Sequence, residues 1–409
     1  MQKVLFIGVN WPEPSTAAGS RIMQLIKVFI TNEFQVTFSS TATTSNLSFD
    51  LEKLGVSMVP IQLNDAGFDV FIKELQPTIV VYDRFLTEEQ FGWRVAENVP
   101  NALRILDTED LHSLRTVRAD LYKKNIPFST AIWLQSDVAK REIASIYRCD
   151  ISLIISSVEM QLLQKHVQLD SSLLLHLPFM EKSISEVENN ELSTYDTRKD
   201  FICIGNGKHA PNVDAVLWLK KTIWPLIRKQ LSTVNLHIYG SYLPQQIMQM
   251  HKPTEGFYVE GFADNLKETF TAARINLAPL RFGAGLKGKL LDGMRFGTPS
   301  ITTLIGAEGM SKTTYFDEFA FGNEVDFANK AVQIYTDEIA YKKAQQVGFK
   351  VVNTEYNRTF LAEKLINTIN KVQNNLQMHR NSNFIGSLLM HQSMQSTKYM
   401  SRWIEAKNK

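Results

Sequence analysis

The segment RFGAGLKGKLLDGMRFGTPSITT, residues 281–303, mixes basic side chains with glycines, a combination that suits anion binding. Arg281 directly follows an apolar run, and Lys287 and Lys289 fall at the start of the next predicted helix. Lysine there opposes the usual preference for negative charge at a helix N-terminus. Helix N–H groups, a guanidinium and ammonium groups together favour a bound phosphate. The alternative is a flexible glycine-rich turn before a solvated helix.

A second candidate is GVNWPEPSTAAGSR, residues 8–21, where an apolar run ends in a loop that leads into an amphipathic segment. Ser20 is a candidate helix N-cap, and Gly19 would let the backbone approach a ligand closely. The spacing matches neither GxGxxG nor the P-loop. An ordinary strand-to-helix turn is the competing interpretation.

The third candidate, LRILDTEDLHSLR at residues 103–115, places titratable groups where an apolar strand ends. Glu109, Asp110 and His112 could orient a hydroxyl or act as a general base at the carboxyl edge of a sheet. A solvated turn in which Asp110 caps a helix explains the same residues.

The fourth candidate, FICIGNGKHAPN at residues 201–212, has Gly205 and Asn206 at the end of a strand. Asn212 follows just before a long amphipathic helix. The N-terminus of that helix is expected to point toward the carboxyl end of the sheet, where ligands bind in open α/β sheets.

Short, continuously apolar runs alternate with stretches of helical period, which predicts parallel sheets covered by helices on both faces. The predicted strands are residues 4–9, 35–40, 56–61, 78–83, 103–108, 151–156 and 172–177, then 201–206, 234–240, 257–262, 275–280, 299–304 and 319–323. This is an α/β fold of two doubly wound, Rossmann-like domains. We expect them to face each other across a ligand-binding cleft.

The domain boundaries follow from a polar, charge-rich stretch between the two strand series. The prediction is an N-terminal domain at 1–182, a linker at 183–199 and a C-terminal domain at 200–380. Apolar residues at near-helical spacing predict that the tail, 381–409, is helical and packs back on the N-terminal domain.

Composition excludes several classes of protein. The 44 Lys plus Arg nearly balance 42 Asp plus Glu, so a general nucleic-acid binder is not expected. Cys149 and Cys203 lie in apolar runs, which predicts buried thiols in a reducing compartment, and no residue cluster has metal-ligand spacing. The N-terminal apolar run is too short for a signal peptide, and no run is long enough to span a membrane, so we expect a cytoplasmic protein.

The second half resembles the donor-binding domain of GT-B glycosyltransferases, in particular the retaining group 1 family (family 4-like). The residues that carry the resemblance are GNGKHAPNVDAVLWL (205–219), GFADNLKETFTAARINLAPLRFGAGLKGKLLDGMRFGTPSITT (261–303) and IGAEGM (305–310). AGSR and LDTEDLHSLR in the first half are similar more weakly. The family transfers a sugar from a nucleotide-diphosphate sugar with retention, usually without a metal in the active site.

The resemblance implies roles for the candidate residues. It implies that Arg281, Lys287, Glu109, Asp110 and His112 are catalytic, and that Gly19, Gly205, Asn206, Asn212, Gly283, Gly285, Leu286, Lys289, Leu290 and Asp292 bind the donor. It implies no cofactor besides the donor substrate and no metal. The implied acceptor is a hydroxyl of a glycan, a lipid-linked glycan or another surface glycan. Independently of the resemblance, the basic segment 111–125 could contact the inner face of a membrane that carries a lipid-linked acceptor, and the favoured alternative is a solvated helix face.

The chain departs from the family pattern at one carboxylate. The family has a Glu-x7-Glu motif where this chain reads AGLKGKLLD, so the second Glu corresponds to Asp292 and the first to Ala284. Two alternatives to a transferase therefore stay open: a GT-B sugar-nucleotide epimerase, and a catalytically silent GT-B subunit that only binds.

Overall fold

Parallel strands form two separate sheets in the computed structural model of the chain, which describes residues 2–190 and 192–408. The strands of the first sheet are β1 (Lys3–Gly8), β2 (Gln35–Ser40), β3 (Ser57–Pro60), β4 (Ile79–Asp83), β5 (Leu103–Asp107), β6 (Ile151–Ile154) and β7 (Leu174–His176). Their order across the sheet is β3-β2-β1-β4-β5-β6-β7. The chain therefore reverses its direction of winding between β1 and β4.

The second sheet is wound in the same way. Its strands are β8 (Lys199–Ile204), β9 (Leu236–Tyr239), β10 (Phe257–Gly261), β11 (Ala273–Ala278), β12 (Ser300–Thr303) and β13 (Ala320–Phe321). They are ordered β10-β9-β8-β11-β12-β13, so the winding reverses between β8 and β11. Each predicted strand overlaps an observed one, which confirms two doubly wound, Rossmann-like sheets.

Helices lie between most consecutive strands and continue after the last one. They are α1 (Ala17–Thr31), α2 (Gly67–Leu75), α3 (Arg84–Asn98), α4 (His112–Lys123), α5 (Thr130–Gln135), α6 (Asp137–Arg148), α7 (Ser157–Leu162), α8 (Glu186–Asn190), α9 (Ala210–Trp218), α10 (Trp224–Gln230), α11 (Gln245–Met248), α12 (Leu266–Ala272), α13 (Gly288–Arg295), α14 (Leu304–Ala307), α15 (Glu324–Thr336), α16 (Glu338–Glu355), α17 (Arg358–Gln373), α18 (Leu376–Ser382) and α19 (Phe384–Lys407). No helix among the described residues is long and apolar enough to cross a membrane.

Two helical segments are interrupted, each for a local reason. After α9 the chain forms a π-helical stretch, Leu219–Ile223, before α10, where Pro225 lacks the N–H that a continuous helix would use. After β13 the helical segment divides into α15 and α16 at Asp337, whose side chain caps α16 by accepting from the N–H of Ala340 at 3.0 Å.

The chain divides into two compact units. The first comprises Met1–Val117, Phe128–Met180 and Phe360–Lys409, and the second comprises Arg118–Pro127 and Glu181–Thr359. This grouping differs from the predicted division at residues 118–127, 181–182 and 360–380. Leu361, Leu365 and Ile369 of α17 are buried in the core of the first unit, which is why the helix belongs there.

The end of the chain packs on the first unit. The Arg380 guanidinium forms two 2.7 Å contacts with the buried carboxylate of Asp150, and α19 lies against α3 and α6. Asp150 immediately precedes β6, so this ion pair connects α18 directly to the sheet.

The two cysteines are buried thiols, as predicted. Cys149 and Cys203 are unpaired and 2% exposed. Burial raises the pKa of both thiols.

Candidate functional site

The second unit offers a ligand site where its winding reverses, at the carboxyl ends of β8 and β11. These strands are adjacent and parallel, with Asn276 opposite Ile202. Residues 205–209 follow β8 and lead into α9, while residues 279–287 follow β11 and lead into α13. The crevice between two such loops is where open α/β sheets bind ligands.

Lys289 joins the two loops. Its Nζ donates to Oδ1 of Asn212 at 2.8 Å, and Nδ2 of Asn212 donates to the carbonyl of Asn206 at 2.9 Å. Burial lowers the pKa of Lys289. Among the described residues no carboxylate pairs with this ammonium. A half-buried cation held by the amide oxygen of Asn212 is a strong candidate to bind an anion.

Because residue 205 is a glycine and has no side chain, the Lys289 ammonium can lie next to its backbone. A Cβ at Gly205 would lie 2.7 Å from Nζ of Lys289 and 2.6 Å from Cγ of Asn212. Three residues predicted to bind the donor, Gly205, Asn212 and Lys289, are therefore in one place, with Asn206 beside them.

Lys287 lies at the N-cap of α13, and the preceding loop folds around its side chain. Its Nζ donates to the carbonyls of Ala284 at 2.8 Å and Gly285 at 2.6 Å. Gly283 and Gly285 have φ of 146° and 64°, backbone conformations that favour glycine. No acidic residue lies in the first turn of α13. A second positive charge thus coincides with the positive end of a helix.

Arg281 is held differently from the prediction that it grips a phosphate. Its Nε and Nη2 donate to the Asp214 carboxylate at 2.9 and 2.6 Å. The guanidinium also lies 5.1 Å from the ring centroid of Tyr122 and 5.0 Å from that of Trp218. Asp214 occupies the Nε and Nη2 edge of the guanidinium, which is the edge that would otherwise chelate a phosphate. The structure therefore supports a positioning role for Arg281, between the β11 loop and α9.

Asp292 remains available to a ligand. It lies in α13, partly exposed, and no hydrogen bond joins its side chain to another described residue. Burial, with a smaller contribution from Glu181, raises its pKa to about 7, although Arg295 opposes the shift. Arg295 itself pairs with Glu181 at 2.9 Å.

The two leucines predicted to contact the donor are core residues. Leu290 is 0% exposed and Leu286 is 8% exposed. The Leu290 N–H donates to the carbonyl of Lys287 within the first turn of α13. The Leu290 side chain packs α13 against the sheet.

In the first unit, the loop before α1 has a different organisation from the one predicted. Thr16, not Ser20, caps the helix, accepting from the N–H of Gly19 at 3.0 Å. Ser20 donates instead to the carbonyl of Pro14. A Cβ at Gly19 would lie 2.0 Å from the Glu13 carbonyl oxygen, so the loop's own backbone, not a ligand, explains this glycine.

A buried ion pair connects this loop to the β5 segment. Arg21 is 1% exposed and Asp107 is 0% exposed, and Nε of Arg21 donates to both carboxylate oxygens at 2.8 and 3.0 Å. Nη1 of Arg21 also donates to the carbonyl of Leu177 at 2.9 Å. The two N-terminal motifs chosen from the sequence are therefore in contact at the carboxyl edge of the sheet.

A second charged cluster lies at the same edge, where β1 and β4 separate. The N–H of Val9 donates to Oδ2 of Asp83 at 3.1 Å, and Nε of Arg84 donates to Oε2 of Glu109 at 2.9 Å. Nε of Arg84 is also 3.3 Å from Oδ1 of Asp83. Oε1 of Glu109 is buried without a hydrogen-bond partner. Arg84 and Glu109 both have positive φ, 69° and 58°, which is uncommon outside glycine and clusters at functional sites.

Glu109 should make the stability of the fold depend on pH. Burial is the main cause that raises its pKa from 4.5 to about 8; Asp83 and Asp107 add to the shift and Arg84 opposes it. The folded chain thus keeps a proton that the unfolded chain has lost above pH 4.5. Its contribution to the free energy of unfolding falls as pH rises toward 8, by at most about 1.4 kcal/mol per pH unit.

We therefore expect Glu109→Gln to be nearly neutral at about pH 5 and stabilising relative to the parent protein at about pH 8.5. Urea titrations at both pH values measure the difference, and Glu74→Gln, at an exposed position, is the control. An equal pH dependence in the Glu109→Gln variant and the parent would refute this assignment.

Asp110 and His112 share one basic partner, Arg115. Asp110 pairs with Nε of Arg115 at 3.0 Å, and Nδ1 of His112 lies 2.6 Å from Nη2 of the same guanidinium. Burial and Arg115 lower the pKa of His112. His112 is therefore favoured as a neutral imidazole that accepts from Arg115.

Two buried glutamates, not Asp110, accept hydrogen bonds from the backbone N–H groups at the start of α4. Oε1 of Glu142 accepts from the N–H of His112 at 2.8 Å, and Oε2 accepts from that of Ser113 at 3.0 Å. Oε1 of Glu159 accepts from the N–H of Leu111 at 3.1 Å. These acids come from α6 and α7, far away in sequence, which is why the sequence analysis missed them. Asp83 could have been found, because it ends a predicted strand as Asp107 does.

No group of three or more His, Cys, Asp or Glu side chains in the described part of the chain is placed to hold a metal ion.

One segment of the chain is similar to a known protein family. Residues 198–337 match the family model "Glycosyl transferases group 1". No curated protein matches the sequence. The matched segment contains β8 to β13 together with the Lys289 cluster.

Solved structures of glycosyltransferases share the fold over 90% or more of this chain. A mutant of S. aureus TarM, in complex with fondaparinux, alpha-GlcNAc-glycerol and UDP, is similar with a TM-score of 0.68 and 10% identity, over 90% of this chain and 100% of that one. A Rickettsia africae glycosyltransferase has a TM-score of 0.63 and 12% identity, over 93% of this chain and 98% of that one. Anabaena HepE, in complex with UDP and glucose, has a TM-score of 0.57 and 12% identity, over 91% of this chain and 100% of that one. The fold is that of the GT-B glycosyltransferases, with two Rossmann-like units.

Proposed function

We propose that this protein transfers a sugar, with retention, from a nucleotide-diphosphate sugar to a hydroxyl group of a glycan or a lipid-linked glycan. The observation that carries the proposal is the Lys289 ammonium, held by Asn212 beside Gly205 at the winding reversal of the second sheet. The group 1 domain match over residues 198–337 supports the same reaction.

The second unit is suited to hold the donor diphosphate. Lys289 and Lys287 supply positive charge at the start of α13, where the helix dipole is also positive. Asp292 would accept hydrogen bonds from the ribose diol. When the bond between the anomeric carbon and the phosphate oxygen breaks, these groups would stabilise the negative charge that develops on the leaving diphosphate.

We assign the acceptor hydroxyl to the first unit, at the cluster of Asp83, Arg84 and Glu109. The unpartnered Oε1 of Glu109 is a buried polar atom that a hydroxyl group could satisfy. In the retaining reaction the acceptor oxygen bonds to the anomeric carbon, and its proton passes to a departing phosphate oxygen. The nucleoside diphosphate is then released, and no separate protein base is required.

The donor test is release of nucleoside diphosphate from a panel of uridine, guanosine, adenosine and thymidine diphosphate sugars. The proposal predicts slow release without acceptor, faster release with one, and a product of unchanged anomeric configuration by NMR. Conversion of the sugar nucleotide into an epimer would identify an epimerase. Binding without release, even with an acceptor mixture, would identify a binding subunit in which Ala284 replaces a needed carboxylate.

Gly205→Ala should weaken donor binding without unfolding the second unit. The new Cβ would displace Lys289 or Asn212, so we expect the dissociation constant for the productive sugar nucleotide to rise roughly 10-fold to 100-fold, equivalent to one charge-assisted hydrogen bond. Calorimetric titration measures this change. Gly322→Ala is the matched control, since its Cβ would meet only Leu304 at an ordinary 3.9 Å. Equal affinities for the two variants would contradict the proposed site.

A further inference from the structure

The loop that follows β12 packs against the glycine-rich loop that follows β11. The hydroxyl of Thr303, the last residue of β12, donates to the carbonyl of Leu280. Seven residues later, Sδ of Met310 accepts from the N–H of Lys287 at 3.1 Å. These two contacts fix residues 304–310 beside the segment that carries the lysines of the proposed donor site.

Glu308, in this β12 loop, is oriented by a buried arginine. Nη1 and Nη2 of Arg118 donate to its Oε2 and Oε1 at 2.6 and 3.1 Å. Arg118 lies in residues 118–127, which belong to the second unit. The Arg118 side chain is 9% exposed and the Glu308 side chain is 26% exposed. The pair therefore holds the Glu308 carboxylate in one orientation and leaves part of it open to a ligand.

The same arginine places Glu308 next to the position where the sequence departs from the family pattern. Nη1 of Arg118 also donates to the carbonyl of Gly283 at 2.9 Å, and Ala284, the residue that stands in place of a glutamate, comes next in the chain. A Cβ at Gly283 would lie 4.0 Å from Nζ of Lys287. A carboxylate from the β12 loop thus reaches the segment in which Ala284 lacks one.

The Glu308 carboxylate has acceptor capacity left for a ligand. Each oxygen accepts one N–H of Arg118, and no other hydrogen bond joins this carboxylate to a described residue. A carboxylate has about four acceptor sites. It repels a diphosphate, which is assigned to Lys287 and Lys289, and the ribose is assigned to Asp292. The part of the donor that remains rich in hydroxyl groups is the sugar that is transferred.

We propose that Glu308, positioned by Arg118, accepts hydrogen bonds from hydroxyl groups of the transferred sugar and replaces the carboxylate that is missing at Ala284. This assignment rests on the proposed function, because it concerns another part of the same donor. It makes Glu308 a residue that selects the donor sugar by its hydroxyl groups, and Ala284 then does not silence the enzyme.

Calorimetric titration of the full chain with a sugar nucleotide and with its free nucleoside diphosphate tests this assignment. The probes are UDP-glucose with UDP, followed by the guanosine, adenosine and thymidine diphosphate pairs. Glu308→Gln keeps the size of the side chain and removes its charge. We expect the dissociation constant for the sugar nucleotide to rise roughly 10-fold, because a charge-assisted hydrogen bond to the sugar is weakened. The constant for the free nucleoside diphosphate should not rise.

Two further variants separate sugar binding from a structural role. Glu338→Gln, at an exposed glutamate of the same unit that pairs with Lys342, should bind both ligands as the parent does. Arg118→Met/Glu308→Met removes both charges, so no buried cation is left unpaired. It should keep the parental thermal melting and affinity for the nucleoside diphosphate, and it should lose affinity for the sugar nucleotide as Glu308→Gln does.

Equal affinity of Glu308→Gln and Glu338→Gln for the sugar nucleotide would overturn the role of Glu308 and leave the proposed function intact. An equal loss for the sugar nucleotide and for the free nucleoside diphosphate would show that Glu308 only maintains the loop, and would also overturn it. If the parent bound none of the sugar nucleotides, the proposed function itself would fail, and this assignment with it.

Discussion

Replacing Lys289 by methionine is expected to lower kcat/KM for the donor roughly 100-fold or more, because removing one preorganised group that stabilises developing negative charge commonly costs this much. Methionine keeps the length and apolar stem of lysine, and the ammonium has no carboxylate partner among the described residues, so no unpaired charge is left behind. Nucleoside diphosphate release under single-substrate conditions measures the loss.

The control for this substitution is Lys343→Met, at an exposed lysine of α16 in the same unit. It should release nucleoside diphosphate at the parental rate. Circular dichroism and thermal melting should be unchanged for both variants. Comparable turnover by the Lys289 variant and this control would remove Lys289 from the active site.

Arg21→Met is expected to destabilise the first unit by about 3–5 kcal/mol, because it leaves the Asp107 carboxylate buried without its ion-pair partner. Such a loss is a large part of the stability of an ordinary domain. Urea unfolding of the full chain, followed by circular dichroism, measures the shift of the corresponding transition.

The double variant Arg21→Met/Asp107→Leu separates a lost charge balance from lost packing. It removes both charges and should recover a substantial part of the stability, as replacement of buried ion pairs by apolar residues often does. Lys140→Met, which removes an exposed ion pair with Asp137 in the same unit, should change stability little. A single Arg21→Met variant as stable as the Lys140 variant would refute the structural role of the buried pair.

The sheet could be predicted from the sequence because its strands are continuously apolar and bounded by polar loops. Runs such as TIVVYD and LRILDT correspond to β4 and β5, and their last residues, Asp83 and Asp107, lie opposite each other in the sheet. Parallel strands covered on both faces give this signal strongly. Continuously apolar runs likewise predicted β8 and β11, and so they also located the loops that follow these two strands.

The detailed roles of the basic residues could not be predicted, because they depend on partners distant in sequence. Arg281 and Lys289 look equally suited to a phosphate in RFGAGLKGK. In the structure Asp214 neutralises the first, whereas Asn212 holds the second without charge. Gly19 illustrates the same limit, because only the fold shows that the Glu13 backbone occupies its Cβ position.

Titration of the protein with the productive sugar nucleotide, using parent and Lys289→Met at two salt concentrations, tests the central claim most directly. The account predicts saturable binding by the parent that weakens with salt. It predicts an at least roughly 10-fold higher dissociation constant for the variant, together with a smaller salt dependence, because one charge-assisted contact is missing. Equal affinity and equal salt dependence for the two proteins would contradict the diphosphate site at the ends of β8 and β11.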